Sequence, residues 1–340
     1  PQGPFVRVAG RGVELRIAGQ VLTGDFAFEK VDRAPPGTGS VIRLAVANAS
    51  LRLGDGTTDF VAVTNGNGSF IVKSGAAGVG GLAGQFSADV ALNLPGITLA
   101  GTFGIVINNT DSTVNETIRV GGQEVRLDIA QPGPYVRVTV GNGRLVVAGQ
   151  ELRGGMAIEQ ITKPDGQKFV KIALTGVSLN LGDGTTTFVT VDQGNGLILI
   201  TQGGVAADFS ARATLGNLDQ VSATGMVQVK INTLTRAVNE VFTAASGETV
   251  NLRLPGGPYV RVEAAPLSLT VLGQTFSANV AFEQVTKPGG QKIIRVGVSG
   301  LHLALTDGTN PIVELTGGTG FMVINSAGLA AGVTGTVKVN

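Results

Sequence analysis

The chain has 340 residues, of which 43% are hydrophobic, 14% charged and 5% aromatic, with 52 glycines and no cysteine. That balance is the reverse of a disordered chain's, and it supplies enough apolar side chain for two or three ordinary domains. Twenty-five Lys and Arg against 24 Asp and Glu leave a net charge of +1 without a basic run, which argues against a nucleic-acid partner; the lack of Cys excludes disulfides and thiolate metal sites.

Read from the N-terminus, the local pattern is strand and turn. Val13–Glu14–Leu15–Arg16–Ile17 alternates with period two, as do Leu51–Arg52–Leu53 and, further on, Val125–Arg126–Leu127. Asn65–Gly66–Asn67–Gly68, Gly121–Gly122, Asn142–Gly143, Asp165–Gly166, Gly194–Asn195–Gly196 and Pro288–Gly289–Gly290 predict tight turns, because Gly and Asn tolerate positive φ. The longest apolar stretch, Gly75–Ile107, contains Gln85, Asp89, Asn93 and Pro95 and many glycines, so it is not a membrane-spanning helix. A membrane β-barrel is not expected either, since 14 Phe, two Tyr and no Trp are too few for aromatic girdles. Asn232–Ala244 comes closest to a helix, but its Thr and Val content predicts an extended segment.

Four markers recur in one order. GPFVRV starts at Gly3 and GPYVRV at Gly133 and Gly257, spacings of 130 and 124 residues. FEKV begins at Phe28, IEQI at Ile158 and FEQV at Phe282. LGDGTT spans Leu53–Thr58 and Leu181–Thr186, with LTDGTN at Leu305–Asn310, and VNE stands at Val114–Glu116 and Val238–Glu240. The domain reading is therefore repeat unit 1 over 1–132, unit 2 over 133–256 and an incomplete unit 3 over 257–340. The last unit lacks a counterpart of Ala223–Pro255, so either the natural polypeptide continues past Asn340 or another subunit completes it. A weaker echo joins Gly19–Phe28, Gly80–Val90 and Gly96–Ile105. The joints Gln131–Pro132 and Pro255–Gly256 are short and proline-containing, which restricts motion between units. The expected fold is all-β, with tandem antiparallel repeats stacked into an elongated rod, β-solenoid-like or a continuous twisted sheet; the alternative is a string of β-sandwich domains.

Candidate chemistry is sparse. His302 is the one histidine and aligns with Ser50 and Ser178, so a surface role is expected. Asp55, Asp183 and Asp307 in the DGT loops are calcium candidates, but one carboxylate per loop falls short of the usual oxygen cage, and Asp-Gly is an ordinary turn. Glu29, Glu159 and Glu283 recur with Arg7, Arg137, Arg261 and with Arg43, Lys171, Arg295. One acid per repeat is unlike an enzyme, and a cross-strand ion ladder on a solvated sheet face is the expectation, with the Val, Ile, Leu and Phe face buried. N-x-S/T sequences occur at Asn48, Asn67, Asn108 and Asn115. No phosphate loop is present.

Over essentially the whole chain, the GPYVRV, LGDGTT and VNET markers resemble the tandem repeats of very large secreted bacterial surface proteins. The resemblance implies an extracellular adhesin, matrix or filament role and no catalytic residues. The expectation is a structural protein of an extracellular filament, sheath or surface layer, with its own kind as partner, no membrane span and no resident cofactor. A repeat adhesin for glycans or cell surfaces is the first alternative, with Tyr135 and Tyr259 as its only tyrosine platforms. A polysaccharide-active β-solenoid enzyme is the second.

Overall fold

A computed structural model describes residues 5–17, 20–32, 40–54, 59–73, 80–94, 97–120, 123–147, 150–162, 166–182, 185–218, 221–286, 291–325 and 328–339. Among these there is no helix, and hence none long and apolar enough to cross a membrane. The strands follow the sequence repeat. The first repeat holds β1 (Phe5–Ile17), β2 (Gln20–Asp32), β3 (Ser40–Gly54), β4 (Asp59–Lys73), β5 (Gly81–Leu94), β6 (Ile97–Asn108), β7 (Val114–Val120) and β8 (Gln123–Ile129). The second holds β9 (Tyr135–Val147), β10 (Gln150–Thr162), β11 (Lys168–Gly182), β12 (Thr187–Thr201), β13 (Gly204–Leu218), β14 (Val221–Asn232), β15 (Val238–Thr243) and β16 (Thr249–Leu254). The third holds β17 (Tyr259–Val271), β18 (Gln274–Thr286), β19 (Lys292–Thr306), β20 (Pro311–Asn325) and β21 (Gly328–Val339). Asn232–Ala244 is extended, as its composition predicts.

The chain forms two compact units, Pro1–Ala148 with Gly155–Val170, and Gly149–Gly154 with Lys171–Asn340. Their division does not coincide with the repeats, and hydrogen bonding shows why. In the first unit β1 to β6 form an antiparallel meander, and β6 then pairs with β9, the opening strand of the next repeat. In the second unit β12, β13 and β14 do the same, with β14 pairing β17 and the meander running on to β21. Each repeat junction therefore lies inside a ladder. The segments Gln131–Pro132 and Pro255–Gly256 are not joints between bodies; they return the chain from a hairpin to the sheet. A string of separate sandwiches is excluded by this pairing, and the tandem antiparallel repeat is the fold.

Two short hairpins stand apart from the meanders: β7 with β8, and β15 with β16. The first lies over β2, β3 and β4, the second over β13 and β14. Alternation makes this a core. Val114, Ile118 and Val120 of β7 and Leu127 and Ile129 of β8 are buried against Ala27, Val41, Ala45, Ala47, Ile71 and Ala83 of the sheet. Alanines dominate the sheet side because the hairpin backbone comes close. Burying each large hairpin side chain contributes about 1.5–3 kcal/mol.

Sequence reasoning misplaces the tight turns. Asn65–Gly68 lies in the middle of β4, Asn142–Gly143 in β9 and Gly194–Gly196 in β12. The register shifts there, between Thr64 and Asn67, opposite Gly141 and Arg144, and between Asp192 and Asn195. Asn65, Asn142 and Gln193 have φ of 54°, 51° and 53°. These are β-bulges, which need a left-handed residue just as primed hairpin turns do, so one residue pair signals both. The predicted turns at Gly121–Gly122 and Pro288–Gly290 lie outside the described residues, as does Asp165 of Asp165–Gly166, whose Gly166 has a φ of 80°. The bulges are pinned by side chains: Asp25 accepts bonds from the Gly12 N–H (2.8 Å) and the Asn48 amide (2.9 Å). Asp89 accepts from Asn65 and from Thr102, each at 2.8 Å. These hydrogen bonds hold both carboxyls below the usual aspartate range.

Candidate interaction surfaces

The recurring charges form the ladder that their spacing predicts. Arg7 is directly opposite Glu29, and Glu29 opposite Arg43. The ion pairs measure 3.4 Å from Arg7 to Glu29 and 3.8 Å from Arg43 to Glu29. The equivalent contacts are Arg137 to Glu159 at 2.7 Å and Arg295 to Glu283 at 3.3 Å. Arg261 departs from the pattern by turning to Glu263, 2.8 Å away, although it stands opposite Glu283.

In the first two repeats the ladder does not lie on a solvated face. The hairpin covers it, and the hairpin's third residue joins it. Glu116 of VNE contacts Arg43 at 2.6 Å, and Glu240 contacts Lys171 at 3.0 Å. Period two places Val114, Glu116, Ile118 and Val120 on the covered side, so the acid sits between apolar anchors. Arg7 also donates to the Arg119 carbonyl at 2.5 Å, Gln85 to the Arg126 carbonyl at 2.5 Å, and Lys171 to the Val241 carbonyl at 2.9 Å. The Lys171 ammonium lies 5.6 Å from the Phe242 ring centroid. Charge pairs that are partly desolvated and hydrogen-bonded in this way fix register as well as adding attraction. The VNE marker was visible as a repeat, but its acid's role needed a long-range contact.

Each hairpin is tied at its base by a buried asparagine. Asn108 donates to the carbonyls of Ser112 (2.9 Å) and Gln131 (2.7 Å) and accepts from the Thr110 N–H (2.9 Å). Asn232 repeats this with Arg236 (3.0 Å), Pro255 (2.7 Å) and the Leu234 N–H (2.9 Å). Asn108 is 1% exposed, so this N-x-T sequence is a structural amide and not a glycan acceptor in the folded chain. The glycine of GPYVRV follows from the same contact. A Cβ at Gly133 would lie 2.4 Å from the Asn108 carbonyl oxygen, and one at Gly257 1.9 Å from that of Asn232.

The tyrosine of GPYVRV is not a sugar platform. Tyr135 and Tyr259 are each 6% exposed. The Tyr135 hydroxyl donates to Glu159 at 3.3 Å, and burial first, then the nearby carboxylate, push its pKa up to about 12. Tyr259 shifts the same way for the same reasons. His302 lies opposite Ser277 as Ser50 lies opposite Thr23, and its ring nitrogen is 3.4 Å from Glu314. Asp307 accepts the N–H groups of Thr309 (2.9 Å) and Asn310 (2.8 Å), which close its own turn and lower its pKa. Asp55 and Asp183 lie outside the described residues. Among those described, no three His, Cys, Asp or Glu side chains are grouped to hold a metal ion.

The opposite sheet face overturns the expected polarity. Val8, Phe28 and Leu44 are consecutive cross-strand neighbours, and all three are exposed. Val72 and Leu82 form another exposed pair, and Leu329, Val333 and Val337 of β21 continue the theme in the second unit, whereas Phe321, two residues from Val323, is exposed on the charge-bearing face. Phenylalanine rings lie over glycines on the next strand: Phe70 over Gly84, Phe86 over Gly68 and Phe209 over Gly196 on the exposed apolar face, and Phe321 over Gly332 on the charge-bearing one. The Val, Leu and Phe face is thus open, while the face bearing the charges is the covered one in the first two repeats. Ranking faces by hydrophobicity fails here because the hairpin supplies its own apolar anchors to an alanine-rich surface.

Comparisons with protein-family models, with curated proteins and with solved structures found no match.

Proposed function

We propose that this chain is a structural protein of an extracellular bacterial filament, sheath or surface layer, which self-associates through strand edges and repeat stacking. The observation that carries the reading is the passage of the antiparallel ladder through both repeat junctions, β6 to β9 and β14 to β17. A sheet built this way extends by whole repeats without a new kind of contact. The exposed Val, Leu and Phe rows supply a second association surface, since exposed apolar patches mark contact sites in secreted proteins. The recurring carboxylates are engaged in ion pairs, which supports a structural use for them. The two tyrosines that a glycan-binding alternative would use are buried, which weighs against that reading.

The test is growth of particles with concentration. Sedimentation velocity and electron microscopy of the purified chain are expected to show fibrous assemblies whose length rises with concentration. Lysines at Val333 and Val337, which are 76% and 61% exposed on β21, are expected to suppress that growth by charging an edge strand. A compact monomer at every concentration sinks the proposal.

A further inference from the structure

One row of cross-strand neighbours recurs position for position in the first and third repeats, and the second repeat shows parts of it in the Arg137–Glu159 ion pair and the Leu199–Ala206 pair. In the first it runs Arg7, Glu29, Arg43, Ile71, Ala83. In the third it runs Arg261, Glu283, Arg295, Val323, Ala330. In the first two repeats a VNE hairpin seals this row: Ile71 and its counterpart Leu199, and Ala83 and its counterpart Ala206, are all 0% exposed. The third repeat has the row but no hairpin over it among the described residues. There Ala330 is exposed and Val323 half-buried. The cation shows the same difference. The side chains of Arg43 and Lys171 are 23% and 13% exposed, each meeting a hairpin glutamate, whereas Arg295 is 55% exposed and meets Glu283.

We infer that the β18–β19–β20–β21 face of the third repeat is a docking site for an amphipathic β-hairpin of the VNE type, with its glutamate on Arg295. The fit is chemical as well as geometric. The face keeps small or branched residues at Ala281 for Ala27, Ile293 for Val41, Gly297 for Ala45 and Val323 for Ile71, and adds Phe321, 60% exposed, where Ser69 and Leu197 are covered in the first two repeats. It also keeps the basic residue opposite the ladder glutamate, which is the contact that reads the hairpin's acid. A ligand of this class presents Val, Glu and Ile or Phe on one side of its first strand and two leucine-like residues on its second. The inference does not depend on filament growth: a chain that stays monomeric still has the face, and a chain that polymerises by its edges can lack the affinity.

The experiment titrates the whole chain into a fluorescent peptide with the sequence of residues 238–254, and into a backbone-cyclised form of it. The cyclised form is included because an isolated two-stranded hairpin is marginal in water. Saturable binding at one peptide per chain is expected, with hydrogen-exchange protection gained in β19, β20 and β21. Changing the peptide's glutamate to lysine (Glu240→Lys) should weaken binding about tenfold, since it replaces a charge-assisted contact by repulsion. The chain variant Arg295→Glu should restore the altered peptide and reject the original one. No saturation by either peptide, protection on other strands, or indifference to both charge changes overturns the assignment.

Discussion

Gly257 and Tyr135 show how close contacts set the identity of single residues in the GPYVRV marker. The backbone at Gly257 passes so near the Asn232 carbonyl that no side chain fits without moving main chain. Gly257→Ala is expected to cost about 2 kcal/mol or more, and Gly216→Ala, where a Cβ meets nothing within 4 Å, less than about 0.5 kcal/mol. Urea unfolding of the two variants checks the pair, and equal midpoints would refute the close-approach account. Tyr135 gives a pH signature. Its folded pKa of about 12 lies above the ordinary 10, so the stability it contributes is complete below pH 10 and disappears as pH rises towards 12. With two Tyr and no Trp, absorbance at the phenolate band reads these groups alone. A delayed phenolate transition that coincides with loss of the β circular dichroism signal is expected. Ionisation of both phenols near pH 10 with the fold intact would contradict it.

The hairpins are the elements on which the sheet's polarity turns. Asn108 and Asn232 hold their bases, glutamates 116 and 240 lock their register, and a few large side chains supply most of the burial. Phe242, 1% exposed and beside the Lys171 ammonium, is the largest of these in the second repeat. Phe242→Ala should cost about 3–5 kcal/mol in denaturant unfolding. It should also release protection in β13 and β14 before the rest of that unit, as read by hydrogen exchange. Unchanged protection in those strands would mean that the hairpin is not what seals them. Strand existence and type were legible from alternation, and the ion ladder from one acid and two bases recurring per repeat. The bulges were not, because Asn-Gly states only that a left-handed residue is wanted, and a bulge and a hairpin both want one.

At the scale of the whole chain, the period and the all-β class are carried by local signals that repeat, GPYVRV, FEQV and VNE among them, while the eight strands of a repeat and the hairpin at VNE emerged with the fold. A short-range pattern determines the period and the class because alternation and turn chemistry act within a few residues. Tertiary structure alone decided which face is covered. The sheet residues under the hairpin are alanines and ion pairs, and nothing local says that a hairpin some 70 residues away will bring Val, Ile, Phe and a glutamate to cover them. It likewise decided that repeats join by ladder hydrogen bonds in place of linkers, since backbone pairing leaves no trace in side-chain identity. The third repeat shows the same dependence: with no hairpin over it among the described residues, Ala330 is exposed where Ala83 and Ala206 are 0% exposed.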